Sequence, residues 1–499
     1  NGHSIKNLVM RTQSTGTYEN RGLFCDLKNA TIENLVFDKS CNIQGQYAGS
    51  LSVEISGIVV LRNVTNRGFV TGGQCAGGLV GFTESESPLT LDHCINEGTI
   101  NSGIDDYKYY CGGLVGYLKN SHNVTITNCK NTGNLKGGST GGLFGFSQSF
   151  FDATIENSTN SGIVFAGSYS GGLIGYSDIA SLAILHCNNT GNINSTSVSG
   201  GFIGYLAPPY QFSKKTTFID SHNTGSVRGS YKAGGFAGQT SFCNNTNMIN
   251  CSNTGNIYAW CSGGFIGFML HNYGVFTIKN SKNTGSVLCD NYCGGIIGLR
   301  VLHKETDCIN LESVANYGTV KSDNWIACGF MCQKSDLEYY HPRFTFKNCI
   351  LKGKVSGVEA YGLINKVVGY GDLISISYVG VFAEINGTSK AYTFIDYNDA
   401  SLSGIFALKS LCKNCVKEVQ NLTKRNDGQY YLENSNTLAI GHINLAPITH
   451  EWEMVWTENL ELIPMLWISF GSPLNDVIRI GPGIPLERQM SESQKEKAS

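Results

Sequence analysis

The residues that could do chemistry are thinly spread. Cys412-Lys413-Asn414-Cys415 has the spacing of a zinc half-site or a redox dithiol. A tetrahedral zinc needs four ligands, and no second Cys-x-x-Cys or His pair accompanies this one. A local disulfide or two free thiols is therefore the expectation. His450-Glu451-Trp452-Glu453-Met454 begins as a zinc-protease helix does but lacks the second histidine. Glycan cleavage needs carboxylates converging on one face. Glu84 and Glu86 form an isolated pair that reads as a solvated loop, and Asp92, Asp105, Asp106, Asp152, Asp178 and Asp220 fall out of phase with one another. There is no nucleophile elbow and no phosphate loop. The chain is expected to be non-catalytic, with no cofactor and no metal site.

Other candidates concern binding and covalent modification. Tyr107, Tyr109 and Tyr110, Tyr210 and Phe212, and Tyr339 and Tyr340 sit on variable insertions. Aromatics on loops of a rigid body can stack on sugars or grip a protein; equally, they can cover an exposed face. Among 18 cysteines, Cys75 with Cys111 and Cys261 with Cys293 are candidate bridges, alongside Cys412 with Cys415. Cys94, Cys129, Cys187, Cys251 and Cys349 share a position that Ser158, Ser221 and Ser281 occupy in other copies. That exchange reads as small and buried. Only Cys94 and Cys129 lie on neighbouring copies, where a bridge is geometrically open. Candidate N-glycosylation sequons start at Asn29, Asn63, Asn123, Asn157, Asn188, Asn194, Asn244, Asn250, Asn386 and Asn421.

A repeat must position all of these. Gly77-Gly78-Leu79-Val80-Gly81 recurs from Gly112, Gly141, Gly171, Gly200, Gly234, Gly263 and Gly294, at spacings of 29 to 35 residues. Asn-x-Gly, followed one position later by an apolar residue in most copies, recurs between them at Asn66, Asn96, Asn131, Asn160, Asn189, Asn223, Asn253, Asn283 and Asn316. Each copy holds three strand-sized pieces and no helical period. Leu61, Leu91, Ile126, Ile155, Ile184, Phe218, Met248, Ile278 and Phe346 align as one apolar column. Val70, Ile100, Leu135, Val164, Ile193, Val227, Ile257, Val287, Val320 and Val355 align as another. Such columns are what stacked parallel strands require.

The predicted fold is all-β: a parallel β-solenoid, right-handed by the general handedness of parallel crossovers. About a dozen turns at ~4.8 Å would make a rod of about 60 Å. An antiparallel propeller needs four strands per blade, and these repeats are too short. The Asn-x-Gly sites read as turns with Asn or Gly in a left-handed conformation, stacked as a hydrogen-bonded ladder. The 61 glycines mark places where backbone bends or packs closely. Repeats are expected over 1–365, tapering terminal turns and a closure over 366–468, and a polar tail or linker over 469–499.

The near balance of 36 basic and 38 acidic residues offers no basic stripe for nucleic acid. No apolar run in this segment reaches membrane-spanning length. The chain opens on Asn1-Gly2-His3, which reads as a mature or trimmed fragment.

The repeats resemble the GLUG motif, named for its Gly-Leu-apolar-Gly core. Gly78-Leu79-Val80-Gly81, Gly113-Leu114-Val115-Gly116, Gly142-Leu143-Phe144-Gly145 and Gly172-Leu173-Ile174-Gly175 carry the likeness. Gly2-His3-Ser4-Ile5-Lys6-Asn7-Leu8 is similar to the start of such arrays, and Trp452, Trp456 and Pro464-Met465-Leu466 to their closure. The resemblance implies an adhesin-like extracellular or cell-surface scaffold whose partners are surface or filament proteins or glycans, with self-association open to it. The alternatives are a protomer of an extracellular filament and, third, a polysaccharide-active β-helix enzyme.

Overall fold

The structure is a computed structural model. It describes residues 2–11, 19–83, 88–119, 123–148, 152–208, 214–270, 273–301, 308–334, 343–365, 373–381 and 383–392, and further strands within 401–480 by their backbone path. Tyr210, Phe212, Tyr339, Tyr340, Cys412, Cys415, Glu84, Glu86 and His450 lie outside the described residues, as does most of 469–499.

The chain is a parallel β-solenoid of about 11 turns with about 30 residues per turn. One turn shows how the sequence lays it out. Strand Ile174–Ser177 forms the first face, Ser181–Leu185 the second, and the pair Asn188–Asn189 a short rung; Ile193–Ser195 and Val198–Gly200 form the third face. Each pairs in parallel with its equivalents one turn before and after. Both apolar columns stack in register, and Leu311 fills the gap in the first between Ile278 and Phe346. The corner after Gly-Gly builds a third column: Phe202, Phe236 and Phe265 stack at 4.9 and 4.8 Å, the spacing of successive strands.

The Asn-x-Gly sites form the predicted ladder but not the predicted backbone. Asn66, Asn96, Asn131, Asn160, Asn189, Asn223, Asn253, Asn283 and Asn316 are fully buried. Each Nδ2 but the last donates to the Oδ1 of the next at 2.7–2.9 Å, and Asn316 Nδ2 donates to Gly329 O (2.8 Å). Neither these asparagines nor the glycines two positions on have positive φ. Gly191 is needed for close approach instead: a Cβ there would overlap the carbonyl oxygen of Gly162 on the preceding turn. The left-handed residue lies three positions before the ladder, at Asn63, His93, Asn128, Asn157, His186, Asp220, Asn250, Asn280, Ser313 and their equivalents.

That corner also explains the cysteine–serine column. The residue after the left-handed corner turns its side chain inward. Ser158 Oγ donates to Glu156 O (2.8 Å) and accepts from the Cys129 amide of the preceding turn (3.1 Å). Cys187 Sγ donates to Leu185 O (3.2 Å), and the Cys187 amide in turn donates to Ser221 Oγ (3.2 Å). A hydroxyl and a thiol both fill this relay. Cys129 serves it toward Cys94, whose amide donates to Cys129 Sγ at 3.4 Å, and the two are not bridged.

Beyond residue 365 parallel stacking continues through Leu373–Val381, Ile385–Tyr392 and Ser401–Leu408. Gln420–Lys424 then pairs antiparallel with Tyr430–Leu432, and Trp452–Trp456, Leu462–Ser469 and Val477–Ile480 form an antiparallel sheet. Among the described residues no helix is long and apolar enough to cross a membrane.

Candidate functional site

The Gly-Gly corner brings the end of the third face against the start of the first, so side chains that miss the core meet along the outside of that corner. Counted back from the first glycine of the motif, the residue two positions earlier points here. In successive turns it is Tyr47, Cys75, Tyr110, Ser139, Tyr169, Val198, Lys232, Cys261 and Tyr292. The facing first-face positions are Phe82, Tyr117, Phe146, Tyr176, Tyr205, Gln239 and Phe268. Together they form an aromatic seam outside the main core. Tyr110 lies 4.7 Å from Tyr117 and 4.5 Å from Phe146, centroid to centroid. Phe146 stacks on Tyr176 at 4.4 Å, and Tyr169 and Tyr176 both contact Tyr205. Lys232 Nζ closes the run, 4.1 Å above the Phe268 ring and bonded to Gln239 Oε1 (2.7 Å).

Half-burial sets the chemistry of the seam. Loss of solvent raises Tyr117 to about 12, with the negative charge of Asp178 adding to it, and pushes Tyr110, Tyr169 and Tyr176 upward as well. Burial likewise lowers Lys232 from the usual lysine range. The phenols therefore stay neutral hydrogen-bonding groups at any physiological pH.

Of the three tyrosines singled out on residues 101–110, the structure separates the roles. Tyr110 belongs to the seam. Tyr109 packs over Gly103, and its carbonyl accepts from the Ser139 amide (2.8 Å). Tyr107 is 46% exposed, with Lys108 Nζ 5.7 Å from its ring and its carbonyl accepting from Ser139 Oγ (2.6 Å). The loop is thus fastened to the next turn and offers one free ring.

Neither proposed long-range disulfide forms. Cys75 is in register with Tyr110 and Cys111 with Ala76, so the two thiols sit one residue out of step and face opposite sides of the strand. Cys75 Sγ donates to Gly81 O (3.0 Å) on the seam side; Cys111 joins the core, where burial raises it to about 12. Cys261 and Cys293 show the same slip, Cys261 pairing with Tyr292 and Ser262 with Cys293. Cys293 is bridged instead to Cys289 within its own strand, Val287–Gly294. An irregularity in the third face lets inward positions four apart meet; Ser195 and Ser199 occupy the equivalent places one hydrogen bond apart, at 2.9 Å.

The sequons divide by position. Asn63, Asn157 and Asn250 are exposed and occupy the left-handed corner; Asn29 and Asn123 are also exposed with positive φ. Asn188, Asn194, Asn244 and Asn386 are half-buried. Asn421 lies in strand Gln420–Lys424.

Sequence reasoning missed one column, three positions before the first glycine of the motif. It points outward and reads Tyr109, Tyr231, Trp260, Asn291 and Trp325 on their turns. Tyr231 is 61% exposed, Trp260 36% and Trp325 48%. Alignment on the first glycine alone would have revealed it.

Among the described residues no group of three or more His, Cys, Asp or Glu side chains could hold a metal ion. No family model matches the chain, and no solved structure matches it. Over 90 residues, 18% of this chain, it is 38% identical to halomucin of Haloquadratum walsbyi, and the match spans 1% of that protein's length.

Proposed function

We propose that this chain is a non-catalytic scaffold of an extracellular or cell surface, with an adhesin-like role in presenting binding groups. One observation carries the reading. The uninterrupted run of buried rungs from Asn66 to Asn316 fixes the body as a stiff rod, and variation is left to side chains and loops on its outside. The likeness to halomucin, the within-strand disulfide and the exposed sequons at Asn63, Asn157 and Asn250 support a surface location. The Gly-Leu-apolar-Gly repeats support a GLUG-type array.

Three measurements test it. Protease shaving of intact source cells is expected to release the chain, and beads coated with it are expected to adhere to a surface that bare beads do not. A reducing-end and unsaturated-product screen over plant, microbial and animal polysaccharides is expected to show no turnover. Turnover would overturn the non-catalytic reading.

A further inference from the structure

The exposed column before the Gly-Gly motif has the make-up of a ligand site. Tyr231 and Trp260 lie on adjacent turns, since Lys232 pairs with Cys261. Tyr292 on the next turn sits 5.6 Å from Trp260, and Trp325 stacks on Tyr292 at 5.5 Å and 24°. The Trp260 indole is pinned at its edge: Nε1 donates to the Asn291 side-chain oxygen (2.7 Å) in the amide orientation that satisfies both groups. Three exposed rings, Tyr231, Trp260 and Trp325, thus follow the rod axis over about 14 Å, one turn and then two turns apart at ~4.8 Å per turn, with Tyr292, only 8% exposed, buried between the last two.

Polar groups border the strip. Asp290-Asn291 and Asp323-Asn324 stack on consecutive turns, the Asn324 amide donating to Asp290 O at 2.8 Å. Asp290 Oδ1 accepts from the Tyr258 hydroxyl (3.1 Å), and Arg228 lies over the Tyr258 ring (5.1 Å). Next to Trp325, whose carbonyl accepts from the Val358 amide, opens a cleft of about 680 Å³ lined by Lys321, Ser322, Asp323, Lys354 and Asn386 among others. Its cations are matched: Lys321 to Asp323 (2.6 Å) and Lys354 to Glu384 (3.4 Å).

We infer that this strip and the cleft beside it bind an extended, uncharged β-linked polysaccharide. Three arguments fix the class. Side chains of this size present roughly 150–250 Å² each, so at the exposures given the strip offers about 300 Å² of ring surface, far below the ~800 Å² per partner that a stable protein complex covers. Flat rings placed one and two turns apart match a ligand that is itself a line of flat units about one turn long, and a β-linked glycan is one. Charges paired within the protein leave carboxylates, amides and hydroxyls to bond sugar hydroxyls and give no excess to attract a polyanion. The inference deepens the surface-scaffold reading and rests on it.

The test uses the full chain and three probes, cellohexaose, xylohexaose and N-acetylchitohexaose, in calorimetric titrations. At least one is expected to bind, with affinity rising from the disaccharide to the tetrasaccharide. Trp325→Ala and Trp260→Ala are each expected to weaken binding about tenfold, the effect of losing one aromatic stacking contact. Trp325→Phe should recover most of it, and Tyr107→Ala should leave it unchanged. No binding by any hexaose overturns the inference, as does binding that both tryptophan variants retain. The surface-scaffold reading fails separately, by absence of the chain from the cell surface or by turnover.

Discussion

Replacing Asn189 with alanine removes a rung from the middle of the buried ladder. Its Nδ2 donates to Asn223 Oδ1 (2.7 Å) and Gly191 O (3.0 Å), and its Oδ1 accepts from Asn160 Nδ2 (2.8 Å). All three partners lie where water cannot replace what is lost, and each buried polar group deprived of a partner costs roughly 1–3 kcal/mol. Asn160 keeps its bond to Gly162 O, which puts its share at the low end. The expected loss is about 4 kcal/mol. Because a solenoid is held by contacts between neighbouring turns, a gap in the middle should also uncouple the two halves, giving a broader transition with a lower m-value. Guanidinium unfolding followed by far-ultraviolet circular dichroism reads both quantities. Asn316→Leu is the internal control. The Asn316 Oδ1 accepts from Asn283 Nδ2 (2.9 Å) and the Gly318 amide (3.2 Å) and its Nδ2 donates to Gly329 O (2.8 Å), so the substitution should cost a similar amount, about 4 kcal/mol. As the last rung, with Leu351 at that position on the next turn, it interrupts no ladder and should leave the m-value near the parent's. An m-value that falls equally in the two variants, or a cost under about 1 kcal/mol for Asn189→Ala, would refute the account of the ladder as the element that couples the turns.

Three further outcomes follow from the same geometry. Gly191→Ala should destabilise by about 2 kcal/mol or more despite its ordinary φ, because the added methyl overlaps Gly162 O; a neutral result in the same unfolding assay would show that neighbouring turns can separate. Asn157→Ala, at φ 50°, should cost about 1 kcal/mol and Asn157→Gly almost nothing, so equal costs would remove left-handed strain as the reason for asparagine there. Spectrophotometric titration at 295 nm should show seam phenols ionising later than free tyrosine, with Tyr117 near 12. Their raised folded values leave stability intact below about pH 10, the unfolded phenol value, and erode it as pH climbs through the folded values; a single step at the free-tyrosine pH would contradict the burial.

The columns were legible because a solenoid repeats its environment. An inward position demands the same residue type turn after turn, and Val164, Ile193 and Val227 align without any structural knowledge. The disulfides were also within reach but misread. Cys75 stands two residues before its Gly-Gly and Cys111 one, and in a strand that difference sends the side chains to opposite faces. Cys289 and Cys293 were not recognisable as partners, since only the irregular path of the third face brings inward residues four apart together. The left-handed corner was hidden by a coincidence of chemistry. Asparagine serves at position 157 for its tolerance of positive φ and at position 160 for its amide, and both rows of asparagine run down the sequence three residues apart.

That double use bears on the sequons. Asn63-Val64-Thr65, Asn157-Ser158-Thr159 and Asn250-Cys251-Ser252 each combine a corner asparagine, an inward residue, and a hydroxyl residue in the short strand just before the rung. Each of the three positions has its own structural reason, so the motif arises from the coil geometry before any question of glycosylation. The column of Tyr231, Trp260 and Trp325 is the opposite case. Nothing in the coil demands a large aromatic at an outward position that Gly138, Ser168 and Ser197 fill elsewhere, and Trp260 and Trp325 leave 36% and 48% of their surface in water. In a repeat protein the residues that break a column without a packing reason are the ones to assign to function, and by that criterion the tryptophan strip outranks the tyrosine-bearing loop at 101–110.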